Sequence, residues 1–323
     1  MRHLRHLRAL TAQAAGVLGL VAVFAPVPVR AQNEVLPVSR VDALRAEIKA
    51  AQDSHADDGR LGELWRQLGV VYQNRMEDAP AEDAYARAIT LLRASGPEAS
   101  YADALHGLGT EYLNMNRNAE ARKYLLAALA EYDKMHDPVN CAFIHQALGI
   151  ELLFGSKFKD AIAEFTASVS LMNSLPVPHS EPTISSYLLR SGAEYHSGDT
   201  AHAIEDIAAA RSLIEKSHLA PASIQNIAIA LVQGAALTRT GQPDAGQSSV
   251  QQALRLAASR TDLPHEVQVR IRLAILREYS AALASAHRKD DAKRMDAEVK
   301  SLTSELPATC HGCTVGVGAL GLR

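Results

Sequence analysis

Aromatic side chains are scarce: phenylalanine, tyrosine and tryptophan make up 5% of the 323 residues, and there is a single tryptophan. Hydrophobic residues nevertheless reach 47%, so a large core has to come from alanine and leucine, which favours closely nested helices. Basic residues are also short, 33 against 36 acidic ones. Phosphate binding needs concentrated Lys and Arg, so nucleic acid is not an expected partner.

Cysteine is nearly absent. Cys141 stands alone and reads as a small packing residue. The other two form Cys310-His311-Gly312-Cys313. A c-type haem site would place His directly after the second Cys, where Thr314 stands instead. A structural zinc site would need further ligands, and no second C-x-x-C exists. A disulfide loop in an oxidising compartment, an idle pair, and a redox or metal-linked role of this tail all stay open.

Catalytic signatures are missing as well. There is no H-E-x-x-H, G-x-S-x-G or P-loop. Gly316, Gly318 and Gly321 spell G-x-G-x-x-G, but a dinucleotide fingerprint needs a following helix and a later acidic residue, and the sequence runs only to Arg323. The expectation is a non-enzyme with no cofactor and no metal.

No apolar run is long and clean enough to span a bilayer, which takes about 20 residues. The run from Ala14 to Val29 is interrupted by Gly16, Gly19, Pro26 and Pro28. Behind the basic head Arg2, Arg5 and Arg8, and ahead of Val29-Arg30-Ala31, it reads as a secretory signal peptide cleaved after Ala31. Removing its four arginines leaves 29 basic against 36 acidic residues, a net charge of −7. The expected location is periplasmic or extracellular, with no membrane span after cleavage.

What the sequence does have is a period. Trp65, Leu68, Gly69 and Tyr72 read W-x2-L-G-x2-Y, and Ala81, Tyr85 and Ala88 follow. Leu108, Gly109 and Tyr112 lead to Ala121, Leu125 and Ala128; Leu148, Gly149 and Leu152 lead to Ala161, Phe165 and Ser168. Gly69, Gly109 and Gly149 are spaced by 40 and 40 residues. Weaker copies follow at Gly192 and Tyr195 with Ala203, at Gly234 and Leu237 with Gly246, and at Ser280 and Leu283 with Ala292. In the fourth copy Tyr195 stands eight residues before Ala203 rather than nine, which predicts a turn one residue shorter. Pro97, Pro138, Pro182, Pro221 and Pro264 punctuate the starts of first helices, where a missing N–H costs nothing.

This pattern resembles the tetratricopeptide repeat family, whose unit is a pair of antiparallel helices of about 34 residues. The resemblance covers most of the chain beyond the leader. It implies an all-α, right-handed superhelical solenoid of about six antiparallel helix pairs, here with a short non-helical C-terminal tail. The segments are then 1–31, the signal peptide; 32–60, a leading segment and capping helix; 61–175, regular repeats one to three; 176–306, divergent repeats four to six; and 307–323, the Gly/Cys tail. The capping helix is expected over 39–55 from Val41, Leu44, Ile48 and Ala51. Near 175–182 the Pro-rich run predicts either a bend in the array or a long loop.

The resemblance also implies a binding scaffold whose first helices line a groove for an unidentified protein or peptide. Counting from each Leu-Gly step gives the groove face: Arg66, Val70 and Asn74 in the first copy, with Glu63, Gln67 and Gln73; His106, Leu113 and Asn114 in the second, with Asp103 and Thr110; Phe143, Gln146, Ile150 and Phe154 in the third, with Leu153; and Leu189, Arg190, Ala193 and His196 in the fourth. The third copy reads as an apolar patch, either open to a ligand helix or covered by its neighbours. Some members of the family clamp a C-terminal carboxylate with Lys and Asn. The matching positions here, Arg66, Val70, Gly107, Gln146 and Ile150, cannot form that clamp. Homo-oligomerisation as a self-assembling structural component is the remaining alternative.

Overall fold

The computed structural model describes residues 38–75, 77–175, 180–217, 223–263 and 265–306. Among the described residues there are thirteen α-helices and no strand. The first, α1 (Val38–Asp53), precedes six successive pairs along the chain: α2 (Asp58–Asn74) with α3 (Asp78–Ser95), α4 (Glu98–Asn114) with α5 (Asn118–Lys134), α6 (Pro138–Phe154) with α7 (Phe158–Asn173), α8 (Ser180–Ser197) with α9 (Thr200–Ser217), α10 (Ile224–Arg239) with α11 (Pro243–Ala258), and α12 (His265–Ser285) with α13 (Lys289–Thr303). The fold is tetratricopeptide-like. The segment 1–31 read as a signal peptide, Pro221, Pro264 and the tail with Cys310 and Cys313 lie outside the described residues, as do residues 176–179 of the Pro-rich run.

The chain forms two compact units, with described parts 38–151 and 152–306. In the first, α1 turns Val41, Leu44, Ile48 and Ala51 onto the Leu64, Leu68, Val71 and Tyr72 stripe of α2. That covers an apolar face that would otherwise meet water, as the end of a repeat array requires. The helix α2 starts where the Asp57 carboxylate accepts from the Arg60 amide at 2.9 Å, a side-chain N-cap. Within this unit α2 packs on α3 and α4 on α5, while α3 packs on α4 to join the pairs. In the second unit α8 packs on α9, α10 on α11 and α12 on α13, and the first helices α8, α10 and α12 pack in sequence.

One turn is repeated six times. The amides of Glu77, Arg117, Lys157, Asp199, Gln242 and Arg288 donate to the carbonyls of Tyr72, Tyr112, Leu152, Glu194, Leu237 and Leu283, at 2.8 to 3.0 Å. These bonds run from five residues downstream back onto the helix end, the Schellman closure that satisfies otherwise orphaned carbonyls. In five copies the residue before the donor has a left-handed backbone: Asn116 (φ 58), Ser156 (φ 54), Gly198 (φ 96), Gly241 (φ 84) and His287 (φ 62). Nine residues separate each accepting carbonyl from Ala81, Ala121, Ala161, Ala203, Gly246 and Ala292.

This corrects the fourth copy. Its turn is not one residue shorter, because Glu194, not Tyr195, supplies the closing carbonyl. Three residues before it stands Ser191, fully buried, so the crossing position held by Gly69, Gly109 and Gly234 belongs to Ser191 and not to Gly192. Small residues are needed there because the helices nearly touch. A Cβ at Gly109 would lie 3.1 Å from the Leu125 backbone nitrogen, and one at Gly234 would lie 2.9 Å from the Gly246 carbonyl.

Candidate functional site: the first-helix faces

In the first unit the predicted groove face is polar, half-exposed and internally paired. The Arg66 guanidinium donates to both oxygens of Glu63, at 2.8 and 2.6 Å, and lies 3.5 Å from the Asp103 carboxylate. Gln67 donates to Glu63 at 3.0 Å and accepts from Arg40 at 3.3 Å. The Tyr132 hydroxyl donates to Asp103 at 2.6 Å. Arg40 on α1, Glu63, Arg66 and Gln67 on α2, Asp103 on α4 and Tyr132 on α5 thus form one ladder across four helices. Its spacing follows from the fold, since Glu63 and Asp103 occupy the same register one repeat apart.

Electrostatics fixes the Glu63–Arg66 pair in its charged form. Burial would raise the Glu63 carboxyl, but the hydrogen bonds from Arg66 and Gln67 outweigh it and hold the group below its ordinary value. The Glu63 bond raises Arg66 in turn. His106 meets the Tyr132 ring edge-on with centroids 6.4 Å apart, and desolvation pushes its pKa down to about 4, so the imidazole is neutral near pH 7. Next to the ladder, the Tyr85 hydroxyl donates to Gln73 at 2.9 Å, and Gln73 donates to the Gly107 carbonyl at 3.4 Å. Gly107 has to be glycine, since a Cβ would come within 2.5 Å of the Tyr85 ring.

Other predicted groove residues are placed differently. Leu113, Gln146 and Ile150 are 2%, 0% and 3% exposed, so they belong to the packed interior rather than to a surface that a partner reaches. Leu153 is buried in the same way. Counting along one helix gives the face, but it cannot show that neighbouring helices close over that face. Arg66, Val70, Asn74, His106, Asn114, Phe143 and Phe154 are half-buried. Cys141 is a buried free thiol, as a packing residue should be.

In the second unit the first-helix face is closed on itself. Leu189 and Ala193 are fully buried, and Arg190 donates twice to Asp206, both at 2.7 Å. His196 stacks on Phe158 at 5.3 Å with its Nε2 3.5 Å from Glu278. Arg239 lies 4.2 Å over the Tyr195 ring and donates to the Tyr195 carbonyl at 2.5 Å. The His196–Glu278 and Arg239–Tyr195 contacts were not legible, because their residues sit 82 and 44 positions apart in the sequence. Tyr132 was missed for a simpler reason: it falls on a second helix, away from the counted face.

Successive helix pairs, with a polar first-helix face in one unit and a more buried one in the other, define a helical-repeat fold. Neither a protein-family model nor a curated relative matches the sequence. Solved structures do match the fold. The apo form of RapI is 13% identical with a TM-score of 0.65, covering 83% of this chain and 93% of that one. BtubC from P. vanneervenii is 16% identical with a TM-score of 0.59, covering 72% and 94%. A Rap conjugation gene regulator in complex with the Phr* peptide is 13% identical with a TM-score of 0.53, covering 91% and 79%. At these identities the likeness is one of fold.

Proposed function

We propose that the chain is a non-catalytic scaffold that binds a protein or peptide segment on the first-helix face of residues 63–106. The observation that carries this reading is the ladder of Arg40, Gln67, Glu63, Arg66 and Asp103, half-exposed, held in place by its own bonds and anchored on the buried Tyr132. Polar groups fixed before a ligand arrives lower the ordering cost of binding. The alternation of two cations, Arg40 and Arg66, with two carboxylates, Glu63 and Asp103, fits a segment that offers both donors and acceptors along its length. The peptide held by a fold neighbour of similar architecture supports the same reading.

The location belongs to the proposal as well. The leader ending at Ala31 supports export, and no helix among the described residues is long and apolar enough to cross a membrane. N-terminal sequencing of the protein recovered from its native host is expected to begin at Gln32; a start at Met1 would remove the export reading. For binding, a photo-reactive side chain at Gln67 is expected to crosslink a discrete partner, and the same group at the exposed Leu126 on α5 is expected not to. Equal labelling at both positions would dismiss the face.

A further inference from the structure

Packing among the first helices of the second unit runs from α8 to α10 and from α10 to α12. One contact skips α10. His196, in the last turn of α8, places its Nε2 3.5 Å from the Glu278 carboxylate of α12, so pair four reaches pair six directly. The repeat sets this position. His196 stands three residues before the turn-closing amide of Asp199, and Arg239 three residues before that of Gln242. The equivalent place on α10 thus also carries a cation, but Arg239 is engaged with Tyr195: it lies 4.2 Å over the ring and donates to the carbonyl.

Glu278 depends on that contact. It is 1% exposed, and neither of its oxygens has a hydrogen-bond partner. A carboxylate out of water is strongly destabilising unless a counter-charge stands beside it. Among the described residues, His196 is the side chain within ion-pair distance. Its imidazole is 9% exposed and stacked on Phe158 of α7, while the Tyr195 ring meets it edge-on at 5.2 Å. The charged groups that flank the ring are paired elsewhere: Glu194 lies 3.7 Å from Arg190, and Asp199 is bonded to His202 at 2.7 Å. Burial, followed by the Glu278 charge, keeps the Tyr195 phenol protonated.

We propose that His196 and Glu278 form a proton-operated latch, which closes the first-helix face of pairs four to six while the imidazole is doubly protonated and releases it when that proton leaves. Histidine is the side chain whose charge changes near neutral pH. The proton comes from solvent and makes an imidazolium, which pairs with the buried carboxylate. Its loss leaves Glu278 charged, buried and without a counter-charge, and that cost is relieved when α8 and α12 part and admit water. The sign follows: the latch contributes on the acid side of the His196 transition and is lost as pH rises through it. Release uncovers Tyr195, Arg239 and Glu278 together. The latch lies in the second unit and does not rest on the binding face proposed at residues 63–106.

The test is hydrogen exchange of the full chain, read in segments 190–198 and 274–283 between about pH 6 and 8 and corrected for the intrinsic pH dependence of exchange. It is run in a Glu194→Gln background, because Glu194, two residues before His196, titrates in the same window. Protection in both segments is expected to fall together by about tenfold as pH rises, in step with the imidazole NMR signal of His196. Glu278→Gln removes the buried charge and so is expected to fold, with protection in both segments no longer following pH. Three results overturn the proposal: protection that does not fall as pH rises, an equal fall in Glu278→Gln, or a fall that does not track the His196 signal.

Discussion

The Ser280 hydroxyl donates a 2.6 Å hydrogen bond to the Asp296 carboxylate, at the crossing where the first pair sets Gly69 against the Tyr85 ring. The two arrangements answer one geometric demand. Where the helices of a pair nearly touch, either a glycine leaves room for a large side chain or a serine meets an acid of matching length. Ser280→Ala is expected to lose about 1 kcal/mol, the usual net worth of such a hydrogen bond. A double-mutant cycle with Asp296→Ala checks it; no coupling between the two would show that the bond contributes nothing.

Glycine at a crossing is a steric requirement. Gly109→Ala puts a methyl 2.9 Å from the Leu125 side chain and 3.1 Å from its backbone nitrogen, and the backbone cannot rotate away. The expected cost is about 1–3 kcal/mol. Gly155, exposed beyond α6, would meet nothing nearer than 3.5 Å, and Gly155→Ala is expected to change stability by less than about 0.5 kcal/mol. Chemical denaturation of both variants measures the difference.

The repeated turn gives a prediction of opposite sign. Ser156 holds φ at 54°, where a Cβ is strained, whereas Gly198 and Gly241 occupy the same place without strain. Ser156→Gly is expected to stabilise the chain and Gly198→Ala to destabilise it, each by roughly 1 kcal/mol. Glycine's greater freedom in the unfolded chain trims both effects. Paired urea titrations decide it.

Glu194 and His106 each give the stability a pH dependence. Burial, followed by the Asp206 charge, pushes the Glu194 carboxyl up to about 7, while Arg190 opposes the shift. Its folded pKa is raised, so its contribution is complete below about 4.5 and is lost as pH rises through 7. His106 is the reverse case. Its folded pKa is lowered to about 4, so its contribution is present above about 6.5 and lost as pH falls toward 4. Glu194→Gln is expected to flatten the decline on the alkaline side, and His106→Gln the decline on the acid side. The single tryptophan, Trp65, reports unfolding of the first unit by fluorescence.

The period was legible because Gly69, Gly109 and Gly149 are identical and equally spaced. The fourth copy misled because Gly192 sits one place from the true crossing and attracts the pattern. Ser191 is small enough for the crossing but carries no such signal. The polar face at Glu63, Arg66 and Asp103 was legible from helical counting, whereas the burial of Leu113, Gln146 and Ile150 was not, since it depends on neighbours that no single helix specifies.

Hydrogen exchange at the amides of Glu77, Arg117, Lys157, Asp199, Gln242 and Arg288 tests most directly that six copies share one turn. All six donate to a carbonyl five residues back, so all six are expected to be protected well beyond the exposed amides of the connecting segments. Free exchange at Asp199, Gln242 and Arg288, with protection confined to the first three, would contradict it and reduce the repeat to its first three copies.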